Sequence, residues 1–185
     1  MDQWTSGLLV VAKNNGTHDL LEEKFKTREI QKFYRTIISG RLKQPSVLAN
    51  TQLVRDPKRR TRFKAIIDDS SSASGETRKA ISRFTEIQRF TKPFSLAGVE
   101  IFTGRTHQIR AHAHYLNTPI LGDDLYGFHF NGKTDSETQQ VYKRLGVLFY
   151  LQAARLVFEH PWSQKKLDLN IHLPDYFKEI IKILE

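Results

Sequence analysis

The chain has 185 residues, enough for one domain, and contains no cysteine, which excludes disulfides, thiolate metal sites and a cysteine nucleophile. Hydrophobic residues make up 39% and charged residues 26%, as in globular proteins, and no apolar run approaches the ~20 residues of a membrane span. Lysines and arginines number 29 against 20 acidic residues, and the net charge of +9 favours polyanions such as nucleic acid as partners. Without a secretory signal, we expect a cytoplasmic protein.

The first part of the chain predicts a strand, a helix and a second strand. Residues 8–12 are a continuous apolar run with β-branched side chains, which is typical of a buried strand. After a turn, Thr17 is the predicted N-cap of a helix that runs to about Lys26. Residues 33–39 are rich in β-branched side chains and predict a strand that ends at Gly40.

The middle of the chain predicts a hairpin followed by a helix. Residues 80–90 and 96–102 read as two strands joined by a turn at 91–93. Residues 106–116 read as a helix with one apolar face and one polar face. The apolar face carries Ile109, Ala113 and Leu116. The polar face carries His107, Arg110 and His114.

The last part predicts two helices around a strand pair. Residues 136–139 match a capping box that opens a helix to about residue 145. Residues 154–158 and 167–173 read as a final pair of strands, and Asp175 is the predicted cap of an amphipathic C-terminal helix. Interspersed strands and helices with hairpins favour an α+β fold with a mixed or largely antiparallel sheet, in one domain over the whole chain.

Residues 53–67 hold the densest group of basic side chains, around the acid Asp56. The predicted RNA contacts in this stretch are Lys58, Arg59, Arg60, Arg62 and Lys64. Such cations neutralise phosphates and release counterions, so the affinity for RNA should fall steeply with salt. The alternative is a basic loop that only keeps the surface solvated.

Five motifs follow one another along the chain and together resemble one family. Residues 2–13 contain Asp, two variable residues, Thr-Ser-Gly and an apolar segment ending in Ala-Lys; residues 32–34 read Lys-Phe-Tyr. Residues 102–112 read Phe-Thr-Gly-Arg-Thr-His-Gln-Ile-Arg-Ala-His, residues 119–127 follow with Gly-Asp-Asp-Leu-Tyr-Gly, and His160 precedes a proline. In this order they resemble the RluA-type RNA pseudouridine synthases, over essentially the whole chain.

This resemblance implies a fold and an activity. The fold is a mixed, mainly antiparallel sheet in two halves around a central catalytic cleft. The activity is the isomerisation of specific uridines in ribosomal or transfer RNA: uracil leaves C1′ of the ribose, rotates and rejoins through C5. The target base is everted from the folded RNA into the cleft. The resemblance also implies that no metal and no cofactor are needed.

The resemblance assigns catalytic roles to three residues. Asp2 matches the catalytic aspartate, which attacks the sugar or removes a ribose proton and stabilises the developing cation in either case. Arg105 matches the arginine that pairs with it, and we expect the two within ion-pair distance because Gly104 would let the backbone approach closely. Tyr34 matches the active-site tyrosine, with a ring to stack on the base and a hydroxyl near C5.

Four further side chains are expected to contact the substrate. Ile109 matches the apolar residue that packs under the uridine, and the others are Thr5, His107 and Arg110. Without the resemblance, Tyr34 and Ile109 would be read as ordinary core positions. His107 and His112 are five positions apart, which is poor spacing for one helix face, so phosphate contact or a structural role is favoured over a metal site.

The chain departs from the family at its start, because Met1 stands where the family has Leu before the catalytic Asp. The preceding His-Arg and the upstream strands are therefore expected to be missing, including the arginine that helps to evert the base. This leaves a second hypothesis, a catalytically impaired RNA-binding fragment or remnant. A nuclease or hydrolase finds little support, since Gly-x-Ser-x-Gly, paired carboxylates and His-based metal motifs are not seen.

Overall fold

The structure, a computed structural model, describes residues 2–67, 77–129, 136–146 and 150–185. These residues form eight strands, four helices and one 3-10 turn at Asp124–Tyr126. The strands are β1 (Ser6–Gly7), β2 (Gln31–Ser39), β3 (Ser46–Arg55), β4 (Phe63–Ile66), β5 (Arg78–Arg89), β6 (Phe94–Ile101), β7 (Leu151–Glu159) and β8 (Lys166–Asn170). The helices are α1 (Asn15–Lys26), α2 (Gln108–Tyr115), α3 (Ser136–Leu145) and α4 (Asp175–Leu184).

The strands form one mixed, mainly antiparallel sheet. Its order is β1-β7-β2-β6-β5-β3-β4, with β8 also paired to β7. β1 and β7 are parallel, and the other pairs are antiparallel. The predicted α+β class and the hairpin of β5 and β6 are therefore confirmed. β2, which carries the Lys-Phe-Tyr motif, lies near the middle of the sheet.

Helices cover both faces of the central strands. Successive side chains of a strand point to opposite faces, so Ile37 and Ile38 belong to different cores. Ile38 packs with Ile109 of α2, while Ile37 packs with Phe177 and Leu184 of α4. Each of these side chains is almost fully buried, which stabilises the fold by roughly 1.5–3 kcal/mol per large apolar residue. The sheet thus presents one side to α2 and the other to α4.

The prediction of a buried strand at residues 8–12 is wrong. Only Ser6–Gly7 pair as β1, and the following residues alternate between exposed and half-buried. Leu9 is 67% exposed and Val11 74% exposed, whereas Leu8 and Val10 pack against the apolar cluster under α1. The segment lies at the edge of the sheet, where only one of its faces meets a partner, and an apolar run does not reveal this.

Several predicted boundaries shift slightly. Asn14, not Thr17, caps α1: its side chain accepts a hydrogen bond from the Thr17 backbone N–H at 2.8 Å. Pro174 is the N-cap of α4, and Asp175 is its first residue. The helix predicted from residue 136 is confirmed as α3, but its capping contacts lie outside the described residues. In the described part of the chain, no helix is long and apolar enough to cross a membrane.

Candidate active site

A cleft of about 350 Å³ opens over the middle of the sheet, on the face covered by α2. β2, β6 and β7 form its floor, and the loop that leads into α2 forms one wall. Six of the seven predicted catalytic and substrate-binding residues line it: Asp2, Thr5, Tyr34, Arg105, His107 and Ile109. Asp2 and Ile109, which are 107 residues apart in the chain, therefore meet in one cavity.

The seventh residue, Arg110, lies beside Asp2. One guanidinium nitrogen of Arg110 is 3.7 Å from Asp2 Oδ2, and His107 Nε2 is 4.0 Å from the same oxygen. The Asp2 side chain is 21% exposed, so it faces the cleft while a cation stands next to it. This cation attracts the carboxylate and restricts its orientation.

Arg110 is itself held by a buried carboxylate. Its Nε and one terminal nitrogen donate to the two oxygens of Asp123, both at 2.7 Å, and the Asp123 side chain is 1% exposed. The guanidinium also lies 5.0 Å from the centre of the Tyr126 ring. A bidentate pair stacked on an aromatic ring fixes the plane of the guanidinium. Asp123 therefore positions the cation that faces Asp2.

His107 forms a second contact between this network and Asp2. Its backbone is left-handed, with φ of 55°, and its Nδ1 lies 3.0 Å from the Tyr126 hydroxyl. The Tyr126 hydroxyl accepts the Phe63 backbone N–H at 2.8 Å, so it can donate its own proton to His107 Nδ1. The imidazole proton of His107 then lies on Nε2, the nitrogen that faces Asp2. Burial lowers the pKa of His107, so the ring is neutral at pH 7.

The predicted ion pair between Asp2 and Arg105 is not formed. Arg105 is exposed, and its Nε donates to the Lys79 carbonyl at 3.3 Å; the arginine that approaches Asp2 in the described residues is Arg110. The loop conformation explains the difference, because Gln108 Oε1 accepts the Arg105 backbone N–H at 3.0 Å and aligns this residue along β5. Gly104 does not serve a close approach either, since a Cβ there would meet nothing within 4 Å.

Tyr34 lies on the floor of the cleft at an irregularity of the sheet. The pairing of β2 with β7 shifts by one residue between Phe33 and Tyr34. Such bulges change the direction of a side chain and are frequent near active sites. Burial, reinforced by the charge of Asp2, raises the pKa of Tyr34, so its phenol keeps its proton near neutral pH. It can act as a hydrogen-bond donor there.

The Thr-Ser-Gly segment fastens the start of the chain to β7. The Thr5 N–H donates to the Asp2 carbonyl at 3.1 Å and closes a turn around Asp2. The Ser6 hydroxyl donates to the Leu151 carbonyl at 3.4 Å and lies 2.8 Å from the Tyr176 hydroxyl. Gly7 has φ of 108°, and a Cβ there would stand 2.2 Å from the Ala153 carbonyl oxygen. The short strand β1 thus fixes the position of Asp2.

Replacement of Gly7 by alanine should detach β1 from β7. We expect the free energy of unfolding to fall by roughly 2 kcal/mol and the melting temperature by about 5 °C. Alanine is strained at this positive φ, and its Cβ would clash with Ala153 unless the backbone of β1 moves away. Calorimetry of Gly7→Ala measures this loss. Gly16→Ala is the control, since that glycine lies in α1 and a Cβ there meets its nearest neighbours at 3.8 Å. A melting temperature of Gly7→Ala equal to that of Gly16→Ala would contradict the prediction.

The basic stretch adjoins the cleft through Phe63. Asp56 Oδ2 accepts Arg62 Nε at 2.5 Å, and its other oxygen accepts the Lys58 N–H at 2.9 Å, which closes the turn between β3 and β4. Phe63 then makes an edge contact with His107, at 6.4 Å between ring centres. The exposed side chains of this stretch are Lys58, Arg59, Arg60 and Lys64, whereas Arg62 is partly buried.

The other two histidines of α2 contact different residues. His112 is fully buried, with its ring nitrogens 3.0 Å from the Thr51 hydroxyl and 2.9 Å from the Ser82 hydroxyl. Burial lowers its pKa to about 4. His114 packs edge-on against Tyr126. Together with His107 and Arg110, His114 lies around the Tyr126 ring, so the predicted polar face of the helix is confirmed.

Comparison with known proteins identifies relatives for most of the chain. A family model described as RNA pseudouridylate synthase matches residues 1–115. A protein of Helicobacter pylori strain J99, named "Uncharacterized RNA pseudouridine synthase", is 35% identical over 98% of this chain and 52% of its own length. "Ribosomal large subunit pseudouridine synthase D" of Buchnera aphidicola is 32% identical over 100% of this chain and 56% of its own length. The chain thus spans about half the length of these relatives.

Solved structures with the same fold are also found. "Human RNA Pseudouridylate Synthase Domain Containing 1" superposes with a TM-score of 0.74 at 22% identity and covers 94% of this chain and 67% of its own. "Human RNA Pseudouridylate Synthase Domain Containing 4" superposes with a TM-score of 0.72 at 20% identity and covers 92% and 68%. The arrangement of sheet and helices is therefore shared with these domains.

Proposed function

Because this chain belongs to the RNA pseudouridylate synthase family, we propose that it isomerises uridine in RNA to pseudouridine and that Asp2 carries out the chemistry. The family match confirms the RluA-type resemblance of the motifs. The observation that carries the proposal is the cleft in which Asp2, Tyr34 and Ile109 meet, with the Arg110 guanidinium 3.7 Å from the Asp2 carboxylate.

The reaction breaks the bond between C1′ and N1 and forms a bond between C1′ and C5. Positive charge develops on the ribose and negative charge on the departing uracil. The Asp2 carboxylate stabilises the first, by attack on the sugar or removal of a ribose proton, and Arg110 holds the carboxylate in place. The proton lost from C5 balances the one gained at N1, so no oxidant or reductant is consumed.

Tyr34 and Ile109 hold the base while it turns. Ile109 is 6% exposed and presents an apolar surface to the cleft, while Tyr34 offers its ring for stacking. The protonated Tyr34 hydroxyl donates a hydrogen bond near the base. It accepts the C5 proton as it passes its own proton to water, and N1 takes up a proton from water in return. Arg105, which lines the same cleft without contacting Asp2, is available to the RNA backbone.

Large-subunit ribosomal RNA is the first substrate to test and transfer RNA the second. The Buchnera relative and a Vibrio vulnificus relative that is 28% identical both carry "Ribosomal large subunit pseudouridine synthase" in their names. A cytoplasmic location is our proposal from the sequence, and two plant relatives are named "chloroplastic".

The experiment is tritium release from RNA labelled with [5-³H]uridine, with RNA integrity and RNA binding measured in parallel. Release with intact RNA supports the isomerase. Binding to all RNAs without release from any would favour the alternative, an RNA-binding fragment. Cleavage of the RNA would point to a nuclease and would contradict the proposal.

The basic stretch between β3 and β4 should contribute to RNA affinity. We expect the triple variant Lys58→Gln, Arg59→Gln, Arg60→Gln to bind RNA more weakly and to lower the slope of log affinity against log salt by about 2, since each lost phosphate contact removes ~0.7–0.9. Equilibrium binding at several KCl concentrations measures this slope.

The matched control changes three exposed cations on α3 and α4: Lys143→Gln, Arg144→Gln, Lys182→Gln. It carries the same change in net charge. If both triple variants reduce the salt slope equally, the stretch acts only through total charge and makes no contact with RNA.

A further inference from the structure

Lys32 is a cation that the fold buries without a matching anion. It is 8% exposed, and in the described part of the chain its amine has neither an ion pair nor a hydrogen bond. Its nearest described partner is the Phe25 ring, 5.4 Å from Nζ. Desolvation and the charge of Arg28 lower the pKa of Lys32. A buried charge without a partner costs stability, which suggests that an anion from outside completes this position.

A second groove of about 360 Å³ adjoins the catalytic cleft at Lys32. The two cavities share three lining residues, Lys32, Gly104 and Arg105, so they lie side by side. We call the second one the flanking groove. Beyond the shared residues its main walls are Phe25, Lys26 and Arg28 on the side of α1, and Phe102 on the side of β6.

The flanking groove is basic and aromatic. Its single acid in the described residues, Glu22, lies 3.0 Å from Lys26 as an ion pair on α1. Three further cations remain in the walls: Arg28, Lys32 and Arg105. Phe25 is 43% exposed, and Phe102 is partly exposed. Basic grooves with exposed rings bind single-stranded nucleic acid, because the cations follow the backbone and the rings stack with bases.

We propose that the flanking groove binds the nucleotide next to the everted uridine, with Lys32 on the phosphate that joins the two. The proposal rests on the proposed function, since it takes the uridine to be in the catalytic cleft. A nucleotide in that cleft is linked to its neighbours through phosphates at the mouth. Lys32 stands where the two cavities meet, so the phosphate passes beside it. Arg28 and Arg105 contact the next part of the backbone, and the base stacks on Phe25.

The test neutralises the charge on each partner in turn. The probe is a fluorescein-labelled RNA decanucleotide with one central uridine among adenosines, in which the linkage on either side of the uridine is natural or a neutral methylphosphonate. We expect Lys32→Met to weaken binding about tenfold, as for loss of a charged hydrogen bond. One neutral linkage should weaken wild type by the same factor and should have almost no further effect on Lys32→Met.

A second readout separates binding from structure. Lys32→Met should raise the melting temperature, because it removes an unpaired buried charge, whereas loss of a structural lysine would lower it. Arg28→Gln changes an exposed residue and should weaken binding without changing stability. Lys182→Gln, which lines neither cavity, should leave both measurements at the wild-type values.

Three results would overturn the proposal that the flanking groove binds a nucleotide. They are no binding of the probe by wild type, an affinity of Lys32→Met equal to that of wild type, and equal weakening of wild type and Lys32→Met by each neutral linkage. None of them depends on catalysis. If the protein isomerises uridine but the effects of Lys32→Met and of a neutral linkage on binding are independent, only the proposed role of the flanking groove is refuted. If these two effects depend on each other but no RNA is isomerised, only the proposed function is refuted.

Discussion

Asp2→Asn is expected to lower the rate of uridine isomerisation by at least ~10³-fold. The amide cannot attack the sugar, remove a ribose proton or balance the positive charge on the ribose. Its size matches the carboxylate, so the turn closed by the Thr5 N–H on the Asp2 carbonyl should remain. Single-turnover tritium release at saturating protein measures the rate, and fluorescence anisotropy measures RNA affinity. Affinity should stay at the wild-type value or increase, since a negative charge near the phosphates is lost.

Asp124→Asn is the matched control for the charge. Asp124 is an exposed carboxylate in the 3-10 turn that follows Asp123, and it lines neither the cleft nor the flanking groove. Its substitution should leave the rate unchanged. Tritium release by Asp2→Asn at the rate of Asp124→Asn would eliminate Asp2 as the catalyst.

Asp123→Ala is expected to have the largest effect on stability. It removes both hydrogen bonds that Arg110, whose side chain is only 10% exposed, donates to Asp123, and the guanidinium keeps the more distant Asp2 carboxylate at 3.7 Å. Breaking a buried pair in this way costs about 3–5 kcal/mol. For a domain of this size the melting temperature should fall by roughly 10 °C. Isomerisation should also fall in the folded protein, because Arg110 no longer holds a fixed position beside Asp2.

The chain contains an exposed pair of the same geometry as a control. Arg155 donates to both oxygens of Asp168 at 2.7 and 2.6 Å, but the two side chains are 42% and 47% exposed. Solvent screens this pair, so Asp168→Ala should change the melting temperature very little. Equal losses for the two aspartates would show that burial does not determine the contribution of the Arg110–Asp123 pair.

The cleft residues that belong to the sequence motifs could be predicted from the sequence. Asp2, Tyr34 and Ile109 come from three separate motifs, and the fold brings them to one cavity. The predicted partner of Asp2 is Arg105, whereas the arginine beside Asp2 in the structure is Arg110. Arg105 and Arg110 are five residues apart in the same motif, and the direction of each depends on side-chain contacts with Gln108 and Asp123. Such contacts are not visible in residue spacing.

Residue spacing also does not predict the side chains that hold the cleft residues in position. Asp123 and Tyr126 lie in the motif at residues 119–127, but a loop rich in Gly and Asp gives no sign that its carboxylate turns inward to an arginine on α2. In the sequence, Lys32 stands out only as the first residue of the Lys-Phe-Tyr motif. Its burial follows from the position of β2 in the middle of the sheet, which sequence periodicity does not determine.

We propose that the carboxylate of Asp2 acts on the ribose of an everted uridine. Chromatographic nucleoside analysis of large-subunit ribosomal RNA and transfer RNA, incubated at equal occupancy with wild type or Asp2→Asn, tests it most directly. We expect pseudouridine in one of the RNAs treated with wild type and none above background with Asp2→Asn. Equal amounts of pseudouridine from the two proteins would contradict it.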